Sequence, residues 1–446
     1  MKLADFGAAQ ARLARNPTPG SYARELLNAL GHESVPLPVS DVRDAAALWA
    51  DSGAMWLTGH SGDEPRHCRA PLAACAQGAW LALAALCPRL DPAFDAYRML
   101  GERAAIAGLS RHGRISPGGA CRLLPTSDGW LALNLAREAD TELLPAWLQC
   151  PIDGDESLTA SVRQATTHTL VDRARLIGLA AAPLVRPRDS SSGWYRATRS
   201  APAVGLRHAS PLVIELGALW AAPLCAQLLL QAGARVIKVE SLARPDGARG
   251  GPPQFYDLLN AEKESVALDL PCAAGVAALR ELLLAADIVI ESSRPRALEQ
   301  MGLHAAEIVA ARPGMVWLGI SGYGRRAPMR NWIAYGDDAG VAAGLSWLVG
   351  DRNRDPVFCG DAIADPLTGL HAALLAWSVW CSGGGQLLDV SLRGVVAHAI
   401  ASGPAAVPLG NSPRPREPFA RPVAQRAAAL GEHSERVLRE FKRRSG

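Results

Sequence analysis

The second half of the chain alternates short apolar runs with longer segments of helical periodicity. Strands are predicted at Leu212–Leu216, Ala234–Val239, Ser265–Leu270, Ile288–Glu291 and Gly314–Gly322, and helices at Ala222–Gln231, Ala273–Ala285 and Pro295–Met301. Apolar strands that alternate with helices are typical of a parallel sheet covered on both faces. The pattern therefore predicts an α/β fold with a Rossmann-like large domain.

The first half of the chain has a different pattern. Residues 101–185 combine a Gly/Pro loop, a strand-like run at Gly129–Leu135 and helical segments, which predicts a small α+β domain. The next segment is rich in Pro, Arg and Ser and is interpreted as a linker. The predicted division is a helical fragment (1–100), the small domain (101–185), the linker (186–210), the large domain (211–402) and a Pro/Arg-rich tail ending in a helix (403–446).

An internal repeat connects the two halves. Gly53–Ala85 aligns without a gap with Gly344–Ala376, at an offset of 291 residues, and eleven of the 33 paired positions are identical. Both copies are interpreted as a Gly- and Pro-containing loop followed by an apolar helix, at Gln77–Leu86 and Leu367–Trp380. Position 74 is alanine, whereas its counterpart is Asp365, so only the second copy has a carboxylate available for chemistry.

Asp365 has two interpretations on spacing alone. It stands just before an apolar helix, where a carboxylate is favoured by the helix dipole and free backbone donors, so it can be a plain N-cap. Asp361 shares this ambiguity. His371 lies one turn further and can pair with Asp365 or be an ordinary core histidine. No metal-ligand spacing of histidines and no Gly-x-Ser-x-Gly nucleophile elbow occurs.

The first predicted βαβ unit raises the possibility of dinucleotide binding, with Glu240 on a ribose hydroxyl. Its turn has one glycine, Gly217, where a pyrophosphate turn requires three. Nicotinamide or flavin binding is therefore not the preferred interpretation.

Composition excludes several classes of protein. The net charge is +3, from 46 basic and 43 acidic residues, so nucleic acid is not indicated as a partner. Nine scattered cysteines without a CxxC pair argue against a disulfide framework or a zinc site and favour a reducing cytoplasm. The N-terminal residues lack the apolar core of a signal peptide, and no apolar stretch reaches an unbroken membrane span.

Residues 211–393 resemble the family III coenzyme A transferases, the CaiB/BaiF type that includes formyl-CoA, carnitine and bile-acid CoA transferases. Motifs in the family's order carry the resemblance, among them 234–240 (ARVIKVE), 265–270 (SVALDL), 286–291 (ADIVIE), 320–324 (ISGYG), 363–365 (IAD) and 388–392 (LDVSL). Residues 101–185 resemble the family's small domain, and 430–434 its chain end. In typical members the large domain comes first, so the order here is rearranged, as a tandem duplication with loss of the first Rossmann part would produce.

The resemblance implies a CoA transferase in which Asp365 is the covalent nucleophile. CoA would move between an acyl-CoA thioester and a carboxylic acid through aspartyl anhydride and aspartyl-CoA intermediates. No tightly bound cofactor and no metal is implied, because coenzyme A enters and leaves as part of the substrates. The family forms interlocked homodimers; a homodimer is expected here, while interlocking depends on domain connections that differ in this chain.

Carried over position by position, the resemblance also implies a set of CoA contacts. Lys263 is expected on a phosphate of CoA as a point charge. Some members have arginine at Ser241 and Gln300, so Arg244 or Arg294 can supply that charge here, and the family's flexible glycine loop corresponds to 117–119. The implied CoA contacts are Trp220, Ala221, Ser241, Asn260, Lys263, Ser292, Ser293, Arg294, Gln300 and Tyr335.

Two alternatives remain beside transfer. An alpha-methylacyl-CoA racemase of the same fold needs a histidine thirty residues before the aspartate, and Tyr335 stands there. A tyrosine with a pKa near 10 is a poor partner for proton transfer at neutral pH. A non-catalytic acyl-CoA-binding protein is suggested by the rearranged order and by Ala74, but Asp365 argues against it. The acyl group and the acceptor acid are not readable from the sequence.

Overall fold

Ten strands in the described part of the chain form two sheets. The structure is a computed structural model and describes residues 16–187, 193–205, 209–350, 355–404, 413–423 and 425–445. The strands are β1 (Cys121–Pro125), β2 (Trp130–Asn134), β3 (Ala180–Pro183), β4 (Tyr195–Arg199), β5 (Leu212–Leu216), β6 (Arg235–Ser241), β7 (Glu264–Leu268), β8 (Ile288–Glu291), β9 (Val316–Ser321) and β10 (Gln386–Ser391).

The larger sheet has the order β4-β10-β9-β8-β5-β6-β7. All its pairs are parallel except that of β4 with β10. The smaller sheet is antiparallel, in the order β1-β2-β3. The predicted α/β class is confirmed, because the buried apolar runs form the parallel strands.

Helices cover both faces of the large sheet and flank the small one. They are α1 (Pro19–Ala29), α2 (Ala45–Asp51), α3 (Leu72–Leu86), α4 (Glu102–Ala107), α5 (Glu138–Glu142), α6 (Leu144–Leu148), α7 (Asp155–Val162), α8 (Thr167–Ile177), α9 (Ala221–Gln231), α10 (Pro253–Asn260), α11 (Ala273–Ala285), α12 (Pro295–Gln300), α13 (Ala305–Ala311), α14 (Gly336–Ala343), α15 (Leu345–Val349), α16 (Ala364–Cys381), α17 (Leu392–Ala401) and α18 (Ser434–Ser445). Short 3₁₀ turns lie at 96–101, 247–250 and 329–331.

Part of the segment interpreted as a linker is a strand. Residues 195–199 form β4, which pairs with β10 at the edge of the large sheet. Four of its five residues are exposed, so it has no apolar pattern from which a strand could be predicted. Residues 188–192 and 206–208 of the same segment lie outside the described residues, as do 1–15 of the N-terminal fragment and 405–412, 424 and 446 of the tail.

The N-terminal helices share one hydrophobic core with the large domain. Buried residues of α1 and α3 belong to the same apolar cluster as those of α9 and α16. A polar contact also crosses between them: the Tyr22 hydroxyl lies 2.9 Å from Nε2 of His371. Since Nδ1 of His371 is 2.7 Å from the Leu367 carbonyl, Nδ1 donates and Nε2 accepts from the tyrosine.

The paired glycines of the two repeat copies make similar contacts. A Cβ atom at Gly78 of α3 would lie 2.7 Å from the carbonyl oxygen of Pro19, the first residue of α1. A Cβ atom at Gly369 of α16 would lie 2.9 Å from the carbonyl oxygen of Ala221, the first residue of α9. Thus α1 packs on α3 in the way that α9 packs on α16, and both crossings require a residue without a side chain.

Candidate active site

Asp365 lies in the first turn of α16 but does not cap that helix. The N-cap residue is Ile363, which makes no side-chain capping bond. The Asp365 carboxylate accepts a hydrogen bond from the backbone N–H of Gly336, where α14 begins. The N-cap interpretation is therefore wrong in its geometry: the carboxylate points to a neighbouring segment and remains partly exposed.

Two further aspartates lie close to Asp365 and share one arginine with it. The Arg103 side chain donates to both oxygens of Asp361, with Nε 2.8 Å from Oδ2. Asp337 accepts from the N–H of Ala362 at 2.8 Å. Three carboxylates beside one guanidinium cannot all ionise without cost. Burial chiefly, and the neighbouring carboxylates, raise the pKa of Asp365 to about 7 and that of Asp337 to about 6, although Arg103 opposes both shifts.

The backbone around Asp365 is tightly constrained. Ala362 has a φ of 42°, a left-handed conformation that is uncommon for a residue with a side chain. A Cβ atom at Gly336 would lie 2.2 Å from both the Ala362 carbonyl oxygen and Oδ2 of Asp365. The Thr58 hydroxyl, from the N-terminal fragment, accepts from the N–H of Gly360 at 2.9 Å. These contacts fix where the carboxylate can lie.

Arg103 connects the carboxylates to the predicted CoA contacts at the start of α9. Its guanidinium carbon lies 5.5 Å from the centre of the Trp220 ring, a cation–π contact. The indole N–H of Trp220 is buried and has no hydrogen-bond acceptor within the described residues. Ala221 follows it and contacts α16 at Gly369. Trp220 and Ala221 therefore border the Asp365 site.

The predicted glycine loop also approaches this site. A Cβ atom at Gly118 would lie 2.9 Å from Nη2 of Arg103. Ser116, just before the loop, hydrogen-bonds to Asp337 through its side chain. The loop at 117–119 is thus next to the carboxylate group.

Lys263 does not have the environment of a phosphate ligand. It is 3 % exposed, and its ammonium donates to Glu215 at 2.7 Å, to the Pro223 carbonyl at 2.9 Å and to Oδ1 of Asn260 at 3.1 Å. Those three bonds use all its donors, so its predicted phosphate contact is inconsistent with this arrangement. Asn260, also a predicted CoA contact, is buried beside it.

Lys263 belongs to a buried ionic group that supports the turn before α9. Lys238 is 3.1 Å from Glu215 and 3.0 Å from Asp246, and it donates to the Gly217 carbonyl at 2.8 Å. Asp246 in turn accepts from the N–H of Leu219, which has a φ of 68°. Two lysines and two acids compensate one another's charge, so the group stabilises the turn.

The other predicted contacts lie on the strand ends around this turn. The Ser292 hydroxyl accepts from the N–H of Ala218 at 3.2 Å, and the Ser293 hydroxyl donates to Glu291 at 3.1 Å. Ser241 ends β6 and is partly exposed, while Gln300 ends α12 and is exposed. The structure gives these two side chains no contact with the carboxylates in its described part.

Basic side chains gather near Tyr335, directly before Gly336. Burial chiefly, and the nearby charges of Arg296, Arg137 and Arg244, lower the pKa of Arg294 below its ordinary value. Burial raises the pKa of Tyr335, so proton transfer by Tyr335 at neutral pH is still less favourable than the sequence indicated. Arg294 therefore lies among other cations, in contrast to Lys263, whose donors are all used within the core.

The sequence predictions missed Arg103 and Asp337. Arg103 is one arginine among many and lies far from Asp365 in the chain, so no local pattern marks it. Asp337 and Asp338 form an acidic pair in the first turn of α14, which could have been noticed as a helix start. Asp338 is buried and accepts a hydrogen bond from Asn134 at 3.0 Å, and its pKa is raised to about 7, chiefly by burial.

His371 lies in the core and not beside Asp365, and burial lowers its pKa to about 3.

Part of the chain is similar to known CoA transferases. Residues 211–424 match the family profile described as "CoA-transferase family III", so this part of the chain is similar to that family. Succinyl-CoA--D-citramalate CoA-transferase of Chloroflexus aurantiacus is 34% identical over 197 residues, 42% of this chain and 49% of the relative. Human succinyl-CoA:glutarate CoA-transferase is 32% identical over 191 residues, 40% of this chain and 44% of the relative. The chain thus spans about half the length of these curated relatives.

Among solved structures, the chain is similar to a CAIB/BAIF family protein from Brucella suis. That match has a TM-score of 0.40 and 29% identity, and it covers 43% of this chain and 54% of the other. None of the helices within the described ranges has the length and apolar character needed to cross a lipid bilayer.

Proposed function

We propose that this protein is a CoA transferase that moves CoA between an acyl-CoA thioester and a carboxylic acid, with Asp365 as the nucleophile. The observation that carries the proposal is the Asp365 carboxylate itself. It is not used to cap its own helix, it is partly exposed, and it lies beside Arg103 and a backbone N–H. The activities named for the curated relatives support the same reaction class.

In the first half of the reaction, an Asp365 carboxylate oxygen attacks the carbonyl carbon of the acyl-CoA thioester. The C–S bond breaks, CoA leaves as a thiolate, and a mixed anhydride joins the acyl group to Asp365. The thiolate then attacks the aspartyl carbonyl carbon, which releases the donor acid as a carboxylate and leaves an aspartyl-CoA thioester. Each step exchanges one anion for another, so no net proton transfer is required.

The second half repeats these steps in reverse order with the acceptor acid. Its carboxylate attacks the aspartyl-CoA carbonyl carbon, forms a new anhydride and displaces the CoA thiolate. The thiolate attacks the acyl carbon of this anhydride, so that new acyl-CoA leaves and the Asp365 carboxylate is restored. The carboxylate must be ionised at the start of each cycle, which links the rate to the ionisation of Asp365.

Arg103 and the N–H of Gly336 are proposed to stabilise the negative charge that develops on the oxygens at Asp365. Both donors are held before the reaction begins, Arg103 by Asp361 and Gly336 by the start of α14. Fixed donors of this kind are effective because they need little reorganisation. The loop at 117–119, which approaches Arg103, is proposed to cover the intermediates.

For CoA itself, we propose that Trp220 and Ala221 contact the arm that carries the thioester. Arg294, supported by Arg244 and Arg296, is proposed to bind a phosphate of CoA, with Tyr335, Ser241, Ser292, Ser293 and Gln300 near the same path. Lys263 and Asn260 are proposed to stabilise the turn before α9 and not to contact CoA, because their polar atoms already have partners.

Three further proposals concern the whole chain. We propose that it acts as a homodimer in the cytoplasm, and light scattering that gives a monomer mass would contradict the dimer. We also retain the predicted domain division, except that residues 195–199 of the predicted linker are a strand of the large sheet. The matching contacts of Gly78 and Gly369 support a duplicated origin for the fragment at 1–100.

The decisive experiment is to trap the covalent intermediate. The full chain is incubated with a panel of acyl-CoA donors and acceptor acids, and the peptide containing Asp365 is examined by mass spectrometry before and after hydroxylamine. We expect a CoA adduct that hydroxylamine removes, together with exchange of CoA between acids. The Asp365→Asn variant is the matched control and should show neither. If the wild type forms no adduct and exchanges no acid while still binding CoA, the non-catalytic binding alternative is favoured.

A further inference from the structure

A cavity lies between the small domain and the large domain, and the residues that build the Asp365 site do not line it. Its volume is about 700 Å³, within the range of small-molecule pockets. Its walls come from α8, β3, the segment between β9 and α14, the end of α14, and α17. None of the predicted CoA contacts lines it.

The lining combines cations with apolar surface. It contains Arg175, Arg186 and Arg393, and among the lining residues that the structure describes there is no Asp or Glu. The lining also includes aliphatic side chains such as Val185 and Ile400. A ligand that matches both surfaces carries a negative charge on an apolar body.

Two buried polar atoms in this cavity lack a normal partner within the described residues. Tyr323 is only 7 % exposed, and its hydroxyl makes no hydrogen bond of ordinary geometry. The Arg175 side chain lies close enough to interact weakly with it. Nε of Arg175 is also buried without an acceptor. The Asp172 carboxylate is 3.7 Å from its Nη1. Buried polar groups normally have hydrogen-bond partners of good geometry, so these two atoms have capacity left for a polar group of a ligand.

The Arg175 guanidinium is held flat for such a ligand. Its central carbon lies 3.5 Å from the centre of the Trp332 ring, and the Trp332 ring meets the Tyr323 ring edge to face at 5.5 Å between centres. Arg393 is fixed by donating Nε to the Ala342 carbonyl at 3.1 Å. An arginine stacked on an aromatic ring presents its N–H edge to a planar anion, and a carboxylate matches that edge with two parallel bonds.

We propose that this cavity is a binding site for a small carboxylate with an apolar body, separate from the Asp365 site. The carboxylate accepts from Arg175 and from the Tyr323 hydroxyl, and the apolar body lies against Val185 and Ile400. The inference does not depend on the proposed transferase activity, because it rests on residues that the proposed reaction does not use.

The test measures binding of benzoate and hexanoate to the full chain by calorimetry, with benzyl alcohol and inorganic phosphate as comparison ligands. We expect both carboxylates to bind and benzyl alcohol not to bind. Arg175→Gln should weaken binding by about tenfold or more, and Tyr323→Phe by about threefold, because each removes a donor to the anion. Tyr323→Phe deletes a hydroxyl that makes no hydrogen bond of ordinary geometry and keeps the ring, so it should fold normally even if Arg175→Gln does not.

Two further variants show whether the carboxylate occupies this cavity or the Asp365 site. Arg280→Gln changes an exposed arginine on α11 and should leave carboxylate binding unchanged. Arg103→Gln alters the Asp365 site and should also leave it unchanged. Binding that is lost in Arg103→Gln but kept in Tyr323→Phe and Arg175→Gln would overturn the proposal, as would tighter binding of phosphate than of either carboxylate.

Discussion

The helices α3 and α16 occupy matching places in the two repeat copies but differ in their first turns. In the aligned repeat they begin one residue apart, and each packs through a glycine on the first residue of another helix. Ala74 of α3 is completely buried, whereas Asp365 of α16 is partly exposed beside Gly336 and Arg103. The two copies therefore share the way in which a helix pair packs but not a reactive carboxylate. A reactive carboxylate needs both the aspartate and suitable neighbours around the first turn of the helix.

The largest expected effect is the loss of CoA exchange when the Asp365 carboxylate is removed. Asp365→Ala makes the first turn of α16 resemble that of α3, and it should lower CoA exchange by at least about a thousandfold, as expected for loss of a covalent nucleophile. Exchange of labelled acid into acyl-CoA measures it, and calorimetric titration with CoA should show that binding persists. Undiminished exchange would rule out Asp365 as the nucleophile.

A methyl group at Gly336 should disturb the carboxylate without removing it. The new Cβ would overlap Oδ2 of Asp365 and the Ala362 carbonyl, so Gly336→Ala should lower the exchange rate by about a hundredfold through misplacement. Gly340→Ala is the matched control on the same helix, because the closest atom there is a flexible leucine methyl at 3.2 Å. Equal rates for the two variants would show that the position of the Asp365 carboxylate is not critical.

The reverse change in α3 tests whether the first copy can hold a carboxylate. Ala74→Asp buries a charge in the apolar cluster, so the free energy of unfolding should fall by about 3–5 kcal/mol. Urea unfolding followed by circular dichroism measures it. In a double variant with Asp365→Ala, exchange should not return. A stable Ala74→Asp protein that restored exchange would mean that both copies can form a site.

The smallest expected effect is a change of stability and exchange rate with pH. It should come from Asp365 in the first turn of α16, because Ala74 in the first turn of α3 has no ionisable group. Asp365 has a pKa of about 7 when folded against an ordinary value of 3.8, so its contribution to stability is complete below about pH 4 and is lost as the pH rises through about 7. Asp365→Asn should therefore gain thermal stability relative to the wild type between about pH 5 and pH 8. The wild-type exchange rate should rise over the same range, since the ionised form attacks. A rate that falls from pH 6 to pH 8 would contradict this account.

Most of the large sheet was predictable because its strands are buried on both faces and form continuous apolar runs. Ile288–Glu291 and Ala273–Ala285 match their predicted bounds. β4 could not be predicted in this way, because an exposed edge strand such as Tyr195–Arg199 is specified by its pairing with β10 and not by its own pattern.

The candidate site was less predictable than the fold. Asp365 was found through a family resemblance and a repeat, while spacing alone allowed a helix cap. Arg103 and Asp337 reach the site only through the tertiary fold. The burial of Lys263 depends on Glu215 and Pro223, which lie 48 and 40 residues before it. A charge alone therefore could not indicate whether that lysine faces a ligand or the core.

The contact between Tyr22 and His371 means that the part of the chain from residue 211 onward depends on the N-terminal residues. Sequence similarity to the family profile begins at residue 211, yet the histidine inside that region depends on a hydroxyl from residue 22. A polypeptide cut at the edge of the similarity would leave that imidazole nitrogen without its donor and the apolar surface of α16 without its cover. Any shuffling of parts among related enzymes would have to transfer the first hundred residues together with the half that matches the family.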